Sequence, residues 1–231
     1  MRLSTLTREA SALLRQAPLL ARSLSRRLPG RETAGSDVIV LLHGVMATAG
    51  VFGPLEAALA ARRATALASF SYGPTRGFAS LVDELSSCLA DLPPSSRVHL
   101  VGHSLGGVLA RWYVQEVDDR RVVSTVSLAS PFHGSTLLRW LPGSLARDLR
   151  PASPRLRRLL DPARIDAANV PHTSFVAGDD SVVTPPESAV FPRGDVFRVA
   201  GVGHNGILFH PPTLAEVATR VTGSHLFVQA G

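Results

Sequence analysis

Lysine is absent from this chain: all 24 basic side chains among its 231 residues are arginine. That removes lysine Schiff-base chemistry and a Walker-type phosphate loop, both of which need the amine. Cysteine occurs once, at Cys88, so no intrachain disulfide can form. The lone thiol neither requires nor excludes an oxidising compartment. Within the run LVDELSSCL it reads as a small buried helix residue. Cys and His nowhere fall at metal-ligand spacing, so no metal is expected. Aromatics are sparse, at 6% of the chain, and no nucleic-acid-binding motif or aromatic-interleaved basic stripe accompanies the net charge of +6. Nucleic acid is therefore not the expected partner. Long apolar runs are missing too. Nothing approaches a membrane span, and Arg15 and Arg22 bracket the N-terminal leucines too closely for a signal peptide's apolar core.

What is present has the balance of a soluble globular protein, with 45% hydrophobic and 18% charged residues. The length suits one domain with a sizeable core. Residues 1–36 differ from the rest. Leu3, Leu6, Ala10, Leu13, Leu14, Ala17, Leu20, Leu24 and Leu28 recur at helical spacing, and from Arg2 to Arg31 seven arginines face one acid, Glu9. This is a basic amphipathic helix interrupted near Pro18. It suits either the surface of an anionic membrane or the side of the domain, or else a frayed leader. No export signal is legible, so the expected compartment is the cytoplasm, with the helix as a peripheral membrane contact.

From residue 37 onward, apolar runs alternate with helical patterns. Val38-Ile39-Val40-Leu41-Leu42-His43-Gly44 is fit for a central parallel strand, and a helix follows from Pro54 through Arg63. Strands are also predicted over Thr65–Tyr72, from Val98, and over Val122–Ala129, Thr173–Gly178 and Val196–Gly201. Further helices are predicted over Gly77–Leu92, from Leu105, and over Pro212–Val221. This alternation predicts an α/β fold with a parallel sheet and helices on both faces. Between 137 and 168 the alternation stops, and leucines, seven arginines and several prolines predict short helices. An insertion here would overhang the carboxyl ends of the strands, where open α/β sheets bind ligands. Its leucines and Trp140 are either acyl-chain contacts in a cap over the site or the inward faces of ordinary surface helices.

The stretch RVHLVGHSLGGVLARWY carries the chemistry. A strand runs into GHSLG and a helix leaves it, the context in which a GxSxG motif strains its serine and lifts the hydroxyl above the sheet. Ser104 is the candidate nucleophile, and Gly102 and Gly106 are the small residues two positions to either side. A serine hydroxyl needs a base within hydrogen-bond reach, and that base needs a partner to fix its tautomer. His204 in GVGHNG is the candidate base. Asp180 in GDDSVV is the candidate acid, with Asp179 beside it as the alternative. Serine, acid, histidine is the chain order that α/β hydrolases use. The backbone amides of Val45, with Met46 as fallback, and of Leu105 are the candidate oxyanion donors. His43 and His103 read as neighbours that hydrogen-bond the loops around the site. His99, His133, His172, His210 and His225 have no partner visible in sequence.

Taken together, LLHGVMAT, VGHSLGGVLARWYVQ, LASPFHGST, LRPASPRLRRLL, GDDSVVTPPESA and GVGHNGIL resemble the α/β-hydrolase superfamily, and within it the bacterial lipases and esterases. The resemblance covers residues 38 to about 221. It implies hydrolysis of carboxylic esters of small-molecule or lipid alcohols through an acyl-enzyme, with a Ser104, Asp180, His204 triad, oxyanion amides at Val45 and Leu105, and no cofactor. The lipases it resembles place the acid directly before a small residue and two apolar ones, which favours Asp180. The superfamily's first two strands are not found in this chain, so a minimal, mostly parallel sheet of about six strands is expected. Thioester, amide or lactone cleavage, acyl transfer to an alcohol, and a silent binding module are the competing functions, since one fold serves many.

Overall fold

Six strands form one parallel sheet in the computed structural model of the chain, which describes Leu14 and residues 36–62, 66–73, 76–139 and 143–223. Apart from Leu14, residues 1–35 of the segment expected to be a basic amphipathic helix lie outside the described residues, as do Trp140 and His225. The strands are β1 (Asp37–Leu42), β2 (Ala66–Phe70), β3 (Arg97–His103), β4 (Val122–Leu128), β5 (His172–Ala177) and β6 (Asp195–Val199), in the order β2-β1-β3-β4-β5-β6. Every adjacent pair is parallel. The chain winds outward from β1 in one direction and, from β3, in the other. That reversal opens a crevice at the carboxyl ends of β1 and β3, where ligands bind in open α/β sheets.

The period-two geometry of a strand explains why these runs are apolar on both sides. Along β1, Val38, Val40 and Leu42 belong to one buried cluster, and Ile39 and Leu41 belong to the other. Helices α1 (Gly53–Ala61) and α7 (Pro211–Thr222) cover the second face through Leu55, Leu59, Leu214 and Val217. Helices α2 (Phe78–Ala90) and α3 (Leu105–Glu116) cover the first. In α2 the buried residues are Phe78, Leu81, Leu85, Cys88 and Leu89, one stripe at helical spacing, and Cys88 takes the buried position that its neighbours predict.

The prolines and caps between 144 and 168 explain why the helices there are short. Ser153 caps α5 (Pro154–Leu159) by accepting from the Leu156 amide, and Asp161 caps α6 (Pro162–Ala168) by accepting from the Ala163 amide. With α4 (Ser144–Asp148), these helices pack on the α3 side of the sheet. Leu145, Leu149, Leu156, Leu159 and Ile165 join the core cluster of Tyr113 and Val114. Arginines anchor them from outside. Arg158 and Arg164 both bind Glu116 at the end of α3, and the Arg155 guanidinium lies over the rings of Phe78 and Trp112 at 4.4 and 4.7 Å. Of the two roles open to these leucines, the structure assigns the inward one. They fill the domain's own core, because each short helix offers a single apolar stripe, covered by α3 for α5 and α6 and by α2 for α4.

Candidate active site

The site is built by the loops that leave the carboxyl ends of β1, β3, β5 and β6. Ser104 lies between β3 and α3 with φ 54° and ψ −121°, a backbone conformation that non-glycine residues rarely adopt. The surroundings hold it there. Its amide donates to the Leu128 carbonyl at 2.9 Å, and its carbonyl accepts from the Gly107 amide at 3.2 Å. The two flanking glycines are required by close approach. A Cβ on Gly102 would lie 2.2 Å from the Gly106 carbonyl carbon, and one on Gly106 would lie 1.9 Å from the Leu42 carbonyl oxygen. The first turn of α3 is thus pressed onto the ends of β3 and β1 more tightly than any side chain permits.

Of the two adjacent aspartates after β5, Asp180 is the one that meets His204. His204 Nδ1 lies 2.9 Å from Asp180 Oδ2, with both side chains buried. The other carboxylate oxygen, Oδ1, accepts from the amides of Val182 and Val183 at 2.8 and 2.7 Å. An acid with one oxygen on two amides and the other on an imidazole is fixed in place and in orientation. Because Nδ1–H is given to Asp180, the neutral ring carries its lone pair on Nε2. Asp179 is half-buried, and its amide donates to the Val202 carbonyl, tying the β5 loop to the β6 loop.

The proposed oxyanion donors lie on either side of Ser104. Leu105 is the first residue of α3, so its amide has no partner one turn earlier in the helix. Val45 follows Gly44, on which an added Cβ would come 3.0 Å from Ser104 Cβ. The Gly44–Val45 peptide is held by its carbonyl, which accepts from His43 Nδ1 at 2.8 Å and from the Ala47 amide at 3.3 Å. In a trans peptide, anchoring the C=O on one side aims the N–H to the other. His43 is itself fixed, since its Nε2 accepts from the Tyr72 amide at 3.1 Å, its ring stacks on Tyr72 at 4.0 Å, and its own carbonyl accepts from the Tyr72 hydroxyl. Burial lowers the pKa of His43 and raises that of Tyr72, so both stay neutral. Met46, the fallback donor, has φ 59° and is 81% exposed.

Two parts of this arrangement were not read from the sequence. Tyr72 ends a predicted strand and gave no sign that it clamps His43. The Ser130–Thr136 loop after β4 supports the acid: Ser135 Oγ donates to the Val182 carbonyl at 2.5 Å, and the Thr136 amide donates to the Thr184 carbonyl at 3.1 Å. This loop carries the LASPFHGST motif, and only the tertiary contact explains what it holds.

The other histidines do different work. His99 and His172 lie within the sheet and bond strand side chains, His210 Nδ1 accepts from the Thr213 amide at the start of α7, and His133 is exposed. A cleft of ≈ 360 Å³ lined by residues 169–173, 193–195 and Arg220 opens at the amino ends of β5 and β6, the end of the sheet opposite Ser104. Its arginines are matched by carboxylates, Arg193 by Asp166 and Arg220 by Asp195 and Glu216. Among the described residues, no helix is long and apolar enough to cross a membrane.

Comparison with known proteins gives the same fold. A Bacillus licheniformis lipase in its mature form superposes with a TM-score of 0.59 at 14% identity, over 87% of this chain and 95% of that one. A lipase-esterase related protein from Clostridium acetobutylicum has a TM-score of 0.57 at 14% identity, over 86% of this chain and 98% of its own. Naproxen esterase (carboxylesterase NP) from Bacillus subtilis has a TM-score of 0.55 at 12% identity, over 95% and 99%. At such identities the likeness is one of fold. Among curated proteins, none matches the chain in sequence. The sequence profile of the alpha/beta hydrolase family matches residues 39–168, the stretch that supplies β1 through β4, the Ser104 elbow and the helices packed beside it. With that profile spanning more than half of its length, and with the sheet order and strained serine described above, the chain belongs to the alpha/beta hydrolase family.

Proposed function

We propose that this hydrolase cleaves carboxylic esters of lipid-like substrates through an acyl-enzyme on Ser104. The observation that carries the reading is the buried Asp180–His204 pair at 2.9 Å, on loops beside a serine held at φ 54°. His204 Nε2 takes the proton as Ser104 Oγ attacks the ester carbonyl, and Asp180 holds the imidazole in the required tautomer and balances the charge it gains. The amides of Val45 and Leu105 donate to the oxygen as it becomes negative. Collapse of the tetrahedral intermediate expels the alcohol, which receives its proton from His204. Water, deprotonated by the same histidine, then releases the acid and restores Ser104.

Support for an apolar acyl group comes from the same end of the sheet. Val45 is 43% exposed, Met46 81% and Leu137 48%, the first two on the loop after β1 and the third in the short 3-10 helix Thr136–Arg139 after β4. Exposed aliphatic side chains of this size beside a polar site suit a hydrocarbon tail better than a sugar or a peptide. The names lipase and carboxylesterase, carried by proteins of the same fold, point the same way.

The test is a series of nitrophenyl esters from short to long acyl chains, followed by emulsified triglyceride, with wild type and Ser104→Ala side by side. Turnover that rises with chain length and disappears in Ser104→Ala is expected. Turnover of short chains only would replace the lipid with a small ester. Equal inertness of the two proteins, with no fluorophosphonate labelling of Ser104, would overturn the enzymatic reading.

A further inference from the structure

His103, the last residue of β3 and the neighbour of Ser104, is wedged between the loop after β1 and the loop after β6. It is 3% exposed. Its Nε2–H donates to the backbone carbonyl of His204 at 3.0 Å, and the two rings pack with centroids 4.8 Å apart. On the other side, Nδ1 faces Gly44, where an added Cβ would lie 3.2 Å away. That nitrogen is buried and has no hydrogen-bond partner among the described residues.

Such a residue is a poor choice for stability alone. An unmatched buried acceptor carries its full desolvation cost, which an aliphatic side chain of similar size would avoid. What an aliphatic residue cannot supply is the N–H to the His204 carbonyl. Asp180 fixes the His204 ring at Nδ1, but one contact leaves the residue's backbone free to shift. A displacement of about 1 Å at a reacting group costs on the order of 100-fold in rate.

We propose that His103 is a positioning residue for the proton-transferring histidine, its Nε2–H holding the His204 carbonyl so that the His204 ring keeps its distance from Ser104 Oγ. The inference rests on the assignment of His204 as general base. The titratable groups that face His103 are His204, with Asp180 behind it, and His43. Burial, and then the proximity of His204, push the His103 pKa down to about 3. The ring thus stays neutral and does not oppose the positive charge that His204 acquires in turnover.

Two substitutions of similar size test this in the full-length protein. His103→Gln retains an N–H near the Nε2 position, and His103→Met retains the length without the donor. His103→Met is expected to lose about 30-fold in kcat with KM within about twofold, and His103→Gln to stay within about threefold of wild type. Equal kcat in the two variants, whether both near wild type or both reduced, would overturn the proposal. A second readout covers variants that fail to fold and a wild type without Ser104-dependent turnover, the latter being a failure of the hydrolase reading. In 15N-histidine NMR spectra of wild type, the neutral Nε2–H tautomer of His103 from about pH 5 to 8 supports the proposal. An Nδ1–H tautomer or a cationic ring in that range overturns it.

Discussion

Towards the amino ends of the strands, His99 and His172 use both ring nitrogens. His99 bonds Ser124 through Nδ1 and Asp37 through Nε2. His172 bonds Thr125 through Nδ1 and both Ser127 and Ser174 through Nε2, with Phe132 and Phe191 edge-on to its ring. At the carboxyl ends, His103 has one buried nitrogen without a partner, and His204 spends Nδ1 on the carboxylate that fixes its tautomer. Buried histidines are thus matched at both ring nitrogens towards the amino ends, whereas at the carboxyl ends His43 is matched and His103 and His204 keep spare capacity. Full matching explains a buried polar group by stability, and incomplete matching calls for a reason outside stability.

Breaking the carboxyl end should abolish turnover while sparing the fold. Ser104→Ala and Asp180→Asn are each expected to lower kcat by roughly 10⁴-fold, with an unchanged urea midpoint. A loss below about tenfold in either would remove that residue from the mechanism. Gly106→Ala attacks the junction between the two halves. Its Cβ would meet backbone atoms of Leu42 and His43, so a loss of about 3 kcal/mol in folding stability is expected by urea titration.

His172→Leu should do the reverse of Ser104→Ala. Burial, with Arg111 next, holds the His172 pKa well below its ordinary value, so the ring is a neutral member of a hydroxyl network. Removing it takes one partner each from Thr125, Ser127 and Ser174. A stability loss of about 2 kcal/mol is expected, with kcat per folded molecule nearly unchanged. An activity loss without a stability loss would erase the contrast between the two halves.

The smallest effect belongs to the ion pair ahead of β4. Burial works against the Asp119 carboxylate, but hydrogen bonds from the Arg121 side chain and amide and from Tyr113 outweigh it and hold the carboxyl below the ordinary aspartate range. A carboxyl depressed in the folded state stabilises the protein above its unfolded pKa of about 4, and that contribution is lost as pH falls through the folded value. Asp119→Asn should therefore cost roughly 1 kcal/mol at pH 7 and nothing at strongly acidic pH, as read from urea midpoints across that range.

Much of the fold was legible because parallel strands and amphipathic helices leave periodic marks. β1, β3, β4 and α2 appear within a residue or two of their predicted bounds, since apolar runs end where Gly, Pro and polar residues begin. Ser104, Asp180 and His204 were legible from their motifs and chain order. Of the Asp179–Asp180 doublet it is Asp180 that reaches His204, because adjacent side chains on a turn point in different directions. The leucines of residues 144–168 remained open between a cap and the core, because an apolar stripe at helical spacing reads the same whichever surface it meets.

The sequence by itself determined the alternation of strands and helices, the turn that strains Ser104, and the order of the three polar residues, because each is written in local spacing. Tertiary structure decided which aspartate meets the histidine, that Tyr72 locks His43 and with it the Gly44–Val45 peptide, and that His103 reaches a carbonyl 101 residues away. Those contacts join loops distant in sequence. They exist only because a parallel sheet brings the carboxyl ends of its strands to one edge, and no local pattern records which atoms meet there.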